Sequence, residues 1–239
     1  MSIETTPAVT TPIAPGSTGR RPDLAVLTRP DSPEAEAFRA LRASVKFSHT
    51  GGDQPARSIL LADAGAGVER PAIAANLAAA LALAGDATLL IDADLRRPAL
   101  HALFGLPNDD GVATYLRGAP GRDGALPLQA TAVPNLRLLP AGPPPPDPAE
   151  LLASDRFRIL LALAREAAAF VIVDAPPVTA VADALSVAAA VDGVLLIVRS
   201  GRTRRTAAQR AKEQLLRVGA NLLGVVLTHA PAGRGEYRY

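Results

Sequence analysis

The sequence predicts a doubly wound α/β domain, a mostly parallel sheet with helices on both faces. Three observations carry that expectation: short runs that are apolar throughout, helical segments between them, and runs that end in a carboxylate. Strands covered on both faces read as continuous apolar runs, and the helices between them are the crossovers that parallel neighbours require. The 239 residues suffice for one compact domain, and 49% hydrophobic against 20% charged residues is the balance of a chain that folds.

Residues 1–22 mix Thr, Pro, Ser and Gly without hydrophobic periodicity and are expected to form a flexible tail ahead of a domain at 23–232. Ser32-Pro33-Glu34-Ala35-Glu36 offers a cap, a proline for the first turn and acidic side chains for the positive end of a helix. That helix should run to about Phe47. A Gly-Gly-Asp-Gln-Pro turn leads to a buried strand at 58–62, a glycine-bearing loop and an Ala-rich helix at 71–84. Further strands are expected at 88–92, 170–174, 194–198 and 222–227, and helical segments at 148–169, 181–190 and 203–218. The Pro- and Gly-rich stretch 108–148 reads as loops and a short helix, and 233–239 as a flexible C-terminal tail.

Composition excludes several chemistries. Cys is absent and there are 3 His, which removes disulfide scaffolds, thiolate zinc sites, cysteine nucleophiles and multi-histidine metal sites. The net charge of +2 leaves 25 basic residues nearly cancelled by 23 acidic ones, so no nucleic-acid partner is expected. No apolar run is long enough to cross a bilayer, so no direct membrane insertion is expected. A basic segment followed by an apolar leader is also missing, and the expected location is cytoplasmic.

In such a sheet, ligands bind where strands end and helices begin. The segment Ala64-Gly65-Ala66-Gly67-Val68-Glu69-Arg70-Pro71-Ala72 has the strand, loop and helix context of a phosphate-binding loop. Its letters differ from a working one, which needs Gly, Lys and Ser or Thr where Glu69, Arg70 and Pro71 stand. Taken alone, the segment reads as an ordinary strand-to-helix turn.

The rest of the chain changes that reading. Leu89-Leu90-Ile91-Asp92-Ala93-Asp94-Leu95-Arg96-Arg97-Pro98, with His101 and Phe104 after it, resembles the second nucleotide motif of the bacterial tyrosine kinases of capsule and exopolysaccharide synthesis. Val171-Ile172-Val173-Asp174-Ala175-Pro176-Pro177 with Asp183 resembles their third motif. Pro140-Ala141-Gly142 through Leu152 matches the segment before it, and Glu36-x-x-Arg39-x-x-Arg42 is similar to the helix through which relatives meet a neighbouring subunit in a ring.

The resemblance covers 23 to the end. It implies a P-loop NTPase-like fold, shared with the septum-positioning ATPases. It also implies ATP and Mg²⁺ as cofactors of an active member, a homo-oligomeric ring, and a membrane polysaccharide co-polymerase as partner at the inner face of the membrane. By the same resemblance Asp92, Asp94 and Asp174 are the catalytic and metal-organising carboxylates, and Gly65, Gly67, Glu69, Arg70, Pro71 and Thr228 mark the nucleotide site. Glu36, Arg39 and Arg42 form the oligomer interface, and Tyr237 and Tyr239 are the phospho-acceptors. Mg²⁺ prefers a few hard oxygen ligands beside phosphate, which suits this set. From the residues alone, the same strand-end carboxylates can instead cap the following turn. Arg96 and Arg97 can reach phosphates or acidic groups of a neighbour, or lie solvated on the surface, while His101 and Phe104 read as packing.

Departures from the family pattern fall on the phosphate site. Arg70 keeps the charge of the missing Lys but not its compact shape. Pro71 offers neither hydroxyl nor N–H, though its ring suits a first helical turn. Glu69 is expected to stand in for phosphate at the helix N-terminus, with Arg70 neutralising Asp92, Asp94 or Asp174. Thr228 stands where relatives carry an adenine-contacting Asn. The expected function is therefore a catalytically impaired regulatory or assembly subunit needing no cofactor, with an ATP-dependent tyrosine autokinase as the alternative.

Overall fold

A computed structural model describes residues 23–50, 54–65, 69–118 and 124–230. Both expected tails, Gly67, Tyr237 and Tyr239 lie outside the described residues. Seven strands form one sheet: Ser58–Asp63 (β1), Thr88–Asp92 (β2), Gln129–Ala130 (β3), Leu136–Leu139 (β4), Phe170–Asp174 (β5), Gly193–Arg199 (β6) and Leu222–Thr228 (β7). Their order is β3-β4-β2-β5-β1-β6-β7, and every neighbouring pair is parallel except β3 with β4.

The helices are Ala25–Thr28 (α1), Pro33–Lys46 (α2), Arg70–Leu83 (α3), Leu100–Phe104 (α4), Val112–Leu116 (α5), Pro148–Ala153 (α6), Asp155–Ala167 (α7), Asp183–Ala188 (α8) and Arg205–Arg217 (α9). The period of two along β1 sends Ile59 and Leu61 into a core shared with α1 to α4, and Leu60 and Ala62 into a second core under α5 to α9. A fully buried Leu or Ile contributes on the order of 1.5–3 kcal/mol, so Leu60→Ala, at a side chain with no exposure, should cost about 2–5 kcal/mol.

Helix α3 is buried almost all round, from Ile73 to Ala82. Its alanines lose no side-chain entropy and let it lie close between α2 and the sheet. Helix α2 starts as the sequence predicts: the Ser32 hydroxyl accepts from Ala35 N at 3.1 Å, with Pro33 in the first turn.

Two expectations need correction. The stretch 108–148 holds two strands besides its short helix. β4 was hidden because Arg137 interrupts its apolar run, its guanidinium donating to Ala167 O at 2.7 Å, and β3 is only two residues long. The expected helix at 148–169 is two helices, because Ser154 is extended and its hydroxyl donates to Leu151 O at 2.6 Å. Residues 25–28, to which the sequence reading assigned no element, form the short helix α1, with Leu24 before it fully buried. Among the described residues, no helix is long and apolar enough to cross a membrane.

Candidate functional site

Parallel pairing brings the C-terminal ends of β1, β2 and β5 side by side, with Asp92 opposite Asp174 and Leu61 opposite Asp174 in register. Each of these strands ends in a carboxylate, so Asp63, Asp92 and Asp174 meet at the place where the sheet binds ligands. Asp94, two residues past β2, joins them. All four are buried, and so is Arg70 at the start of α3.

Arg70 fills the space between these carboxylates. Its Nη1 donates to Asp63 Oδ2 at 2.9 Å, its Nη2 to Asp94 Oδ2 at 2.8 Å, and its Nε to Asp174 Oδ1. The planar guanidinium can address three acceptors from one position, which an ammonium on a longer stem does not match. Asp92 takes no part in that set. Its Oδ1 accepts from Asp94 N at 3.2 Å, and its Oδ2 from Ala99 N and Leu100 N, both at 3.0 Å. Asp92 therefore caps the turn after β2 and the start of α4, and of the three candidates for neutralisation Arg70 meets Asp94 and Asp174.

The carboxylate oxygens can be accounted for one by one. Asp63 Oδ1 accepts from Gly65 N at 3.1 Å and Asp94 Oδ1 from Arg97 N at 3.0 Å. Of the eight oxygens on the four carboxylates, seven accept protein hydrogen bonds and only Asp174 Oδ2, buried, has no partner. Mg²⁺ is held through one or two carboxylates and its own waters, but here Arg70 already occupies an oxygen of each of Asp63, Asp94 and Asp174, and its fixed positive charge opposes a second cation among them. Pro71 adds no hydroxyl and no N–H. The residues present do not fit Mg²⁺ with a nucleotide phosphate in this arrangement, and among the described residues no cluster of acidic or His side chains is disposed to hold a metal.

One positive charge shared among several buried carboxylates leaves the centre short of compensation. Burial pushes the Asp174 carboxyl up to about 7, against the opposing pull of Arg70. Burial also raises Asp92 to about 6, against the backbone N–H groups of Leu100 and Ala99. Asp63 moves upward for the same reason, again opposed by Arg70. Burial alone would lower Arg70, but Asp174 first, then Asp63 and Asp94, hold it above the ordinary guanidinium range.

Other candidates fall elsewhere. Glu69 does not plug the helix N-terminus: its side chain is exposed and makes no capping hydrogen bond, while Arg70 is buried among the carboxylates. Thr228 ends the edge strand β7 opposite Arg199, two strands from β1, with its hydroxyl 3.4 Å from His229 Nδ1. On α2, Glu36 and Arg39 form an exposed i,i+3 pair at 2.8 Å, while Arg42 donates to Ala80 O of α3 at 3.3 Å. Phe104 is core, and His101 lies beside it on α4 with Nδ1 buried and unpartnered. Neither arginine of the second motif behaves alike: Arg96 forms a two-pronged pair with Asp183 at 2.8 and 3.1 Å, tying the second motif to the third, while Arg97 is exposed.

Asp63 is the site residue that sequence reading missed. Its signal was present: β1 extends one residue beyond 58–62 and, like β2 and β5, closes on Asp.

No protein-family profile matches the chain. Direct comparison with known proteins does. Tyrosine-protein kinase YwqD of Bacillus subtilis is 36% identical over 218 residues, 91% of this chain and 90% of its own length. The crystal structure of the chimerical protein CapA2B2 superposes with a TM-score of 0.81 at 34% identity, covering 92% of this chain and 96% of that one. The kinase domain of Escherichia coli tyrosine kinase ETK gives 0.82 at 30% identity, covering 92% and 84%. The cell-division ATPase MinD of Pyrococcus furiosus, at 23% identity, 72% and 71% coverage and a TM-score of 0.61, shares the P-loop NTPase fold alone. On identity and coverage of this extent, the chain belongs to the bacterial tyrosine kinase family.

Proposed function

We propose that this protein is a catalytically impaired member of its family, serving capsule or exopolysaccharide synthesis as a regulatory or assembly subunit for a membrane polysaccharide co-polymerase. The observation that carries the reading is Arg70 held by Asp63, Asp94 and Asp174, of which Asp94 and Asp174 are carboxylates that the resemblance assigns to Mg²⁺. Losing both the lysine and the hydroxyl removes two separate contributions to phosphoryl transfer, which rests on positioning and charge stabilisation. The fold that relatives use is intact, so docking and assembly need no nucleotide in this chain. Glu36, Arg39 and Arg42 on α2 are the proposed ring contact, with the protein recruited to the cytoplasmic face of the membrane by its partner.

The identity to named tyrosine kinases over nine-tenths of the chain favours a second reading, an active autokinase that phosphorylates Tyr237 and Tyr239. Calorimetric titration with Mg·ATP and Mg·ADP separates the two. Wild type should give no heat of binding, while Glu69→Gly, Arg70→Lys, Pro71→Ser combined should bind. Micromolar binding by wild type would sink the impaired reading and leave the autokinase.

A further inference from the structure

Charge is segregated along this chain in a way its total hides. Residues 199–217 hold seven Arg and Lys (Arg199, Arg202, Arg204, Arg205, Arg210, Lys212, Arg217) against Glu213 alone, a local charge of +6 in a chain of net +2. The remainder of the protein is thus net −4. The segment is the loop after β6 together with α9, on the flank of the sheet beside the edge strand β7.

The arginines are not spent on the fold. Arg202, Arg204, Arg205, Arg210, Lys212 and Arg217 are all exposed, and of these six Arg217 alone forms an ion pair among the described residues, a 3.8 Å contact to Glu213. Arg204 is the N-cap of α9 and Arg205 opens it, with no acidic residue in the first turn. Positive charge at a helix N-terminus opposes the helix dipole and costs stability. An arrangement that weakens its own helix while gaining no internal partner points to an anionic surface outside the molecule.

The geometry selects among such surfaces. Arg205, Lys212 and Leu216 recur at i, i+7 and i+11 and share one stripe of α9, with Leu216 about half exposed between its charged neighbours. The buried Ala211 and Leu215 lie about a quarter turn round α9 from that stripe and hold the helix to the core. Basic side chains spread over the exposed face of α9 and the loop before it, with an exposed aliphatic residue among them, fit a planar, fluid polyanion. No aromatic side chain lies between 199 and 218 to stack on bases, which disfavours single-stranded nucleic acid.

We infer that α9 and the loop before it form a peripheral docking surface for an anionic lipid bilayer, with the arginines against the headgroups and no segment inserted. Clustered Lys and Arg on an amphipathic helix carry this kind of affinity, screened over a Debye length. The partners of Arg70 are Asp63, Asp94 and Asp174, none of them on this segment, so the inference does not rest on the reading of the Arg70 centre.

The test is sedimentation of the full chain with phosphatidylglycerol-containing vesicles, with neutral phosphatidylcholine vesicles and with a random-sequence DNA duplex as competitors. Wild type should partition onto the anionic vesicles and not onto the neutral ones. Raising salt from 0.1 to 0.5 M should reduce the partition coefficient at least tenfold. Replacing Arg202, Arg204, Arg205, Arg210 and Lys212 by Gln should reduce it at least about 100-fold without lowering the thermal midpoint, since none of the five holds an ion pair among the described residues and Arg204 and Arg205 oppose the α9 dipole. Tighter binding to the duplex than to anionic vesicles would reassign the surface to nucleic acid and overturn the inference. So would equal binding to neutral vesicles, undiminished binding by the five-fold variant, or no vesicle binding at all.

Discussion

Asp63 and Arg70 close the segment between them: Arg70 Nη1 donates to Asp63 Oδ2 at 2.9 Å with both side chains almost fully buried. In a phosphate-binding loop the cation at the start of the helix faces a bound anion. Here the anion is covalently part of the same chain, joined by Asp94 and Asp174 from the neighbouring strand ends. Pairing a cation with carboxylates that are already present costs no ligand binding and is independent of nucleotide concentration.

Removing the cation therefore has a defined consequence. Arg70→Met keeps the apolar stem but leaves Asp63, Asp94 and Asp174 buried without their counter-charge. Breaking a buried pair by deleting one partner costs about 3–5 kcal/mol. Urea denaturation at pH 8 should show that loss. At pH 5 it should be smaller, because Asp174 and Asp92 bind protons there. An unchanged urea midpoint at pH 8 would mean that Arg70 does not hold the centre together.

Wild-type stability should itself depend on pH, with a sign opposite to that of surface-paired carboxylates. Asp174 at about 7 and Asp92 at about 6 lie above their unfolded values near 3.9. Between those limits the folded state binds more protons than the unfolded one. Their contribution is complete below about pH 4 and is lost as pH rises through 6 and 7. Asp192, shifted downward by its backbone and Arg165 partners, gives the reverse dependence, but only below the unfolded range. The unfolding free energy should thus fall from pH 5 to pH 7.5, by at most about 1.4 kcal/mol per pH unit for each group. Asp174→Asn should flatten the upper half of that slope. A wild-type profile that rises across this window would contradict the charge balance described for the centre.

The tie between Arg96 and Asp183 invites a double-mutant cycle. Asp183 is fully buried while Arg96 is half exposed, so water screens one side of the pair. Arg96→Ala should cost about 1–2 kcal/mol by leaving a buried carboxylate short of its partner. Combined with Asp183→Asn, the loss should be less than the sum of the single changes. Additive losses in thermal melts would show that the two motifs are not energetically joined.

Much of this was legible beforehand because it depends on period and composition. The apolar runs at β1, β2, β5 and β6 need burial, which the inner strands of a parallel sheet supply on both faces, whereas β7 at the sheet edge leaves Val225 and Leu227 exposed. Asp92, Asp94 and Asp174 could be named from strand ends and motif spacing. Their hydrogen bonds could not, because the choice between Arg70 and Glu69 as the inward side chain is decided by how the loop enters α3. β4 was lost to one arginine whose guanidinium is taken up by the carbonyl of Ala167 at the end of α7, and the tie of Arg96 to a partner 87 residues away in the chain.

Glycine substitutions separate a packed loop from an open one. At Gly111 an added Cβ would lie 2.0 Å from Pro140 O and 2.5 Å from Gly142 N, both backbone atoms that cannot swing aside. The same approach carries Val112 N to Pro140 O and Ala113 N to Ala141 O, each at 2.8 Å. Gly111→Ala must push the two segments apart, combining overpacking with weakened buried hydrogen bonds, for a cost of about 2–4 kcal/mol. At Gly65, beside the Arg70 centre, an added Cβ meets nothing within 4 Å, so Gly65→Ala should change stability by less than about 0.5 kcal/mol. Its N–H still donates to Asp63, so the ion pair has no reason to move. Chemical denaturation of both variants checks the contrast. If Gly65→Ala proves as costly as Gly111→Ala, the loop is packed against something that the Arg70 arrangement leaves out, and the glycine there serves a close approach rather than an open turn.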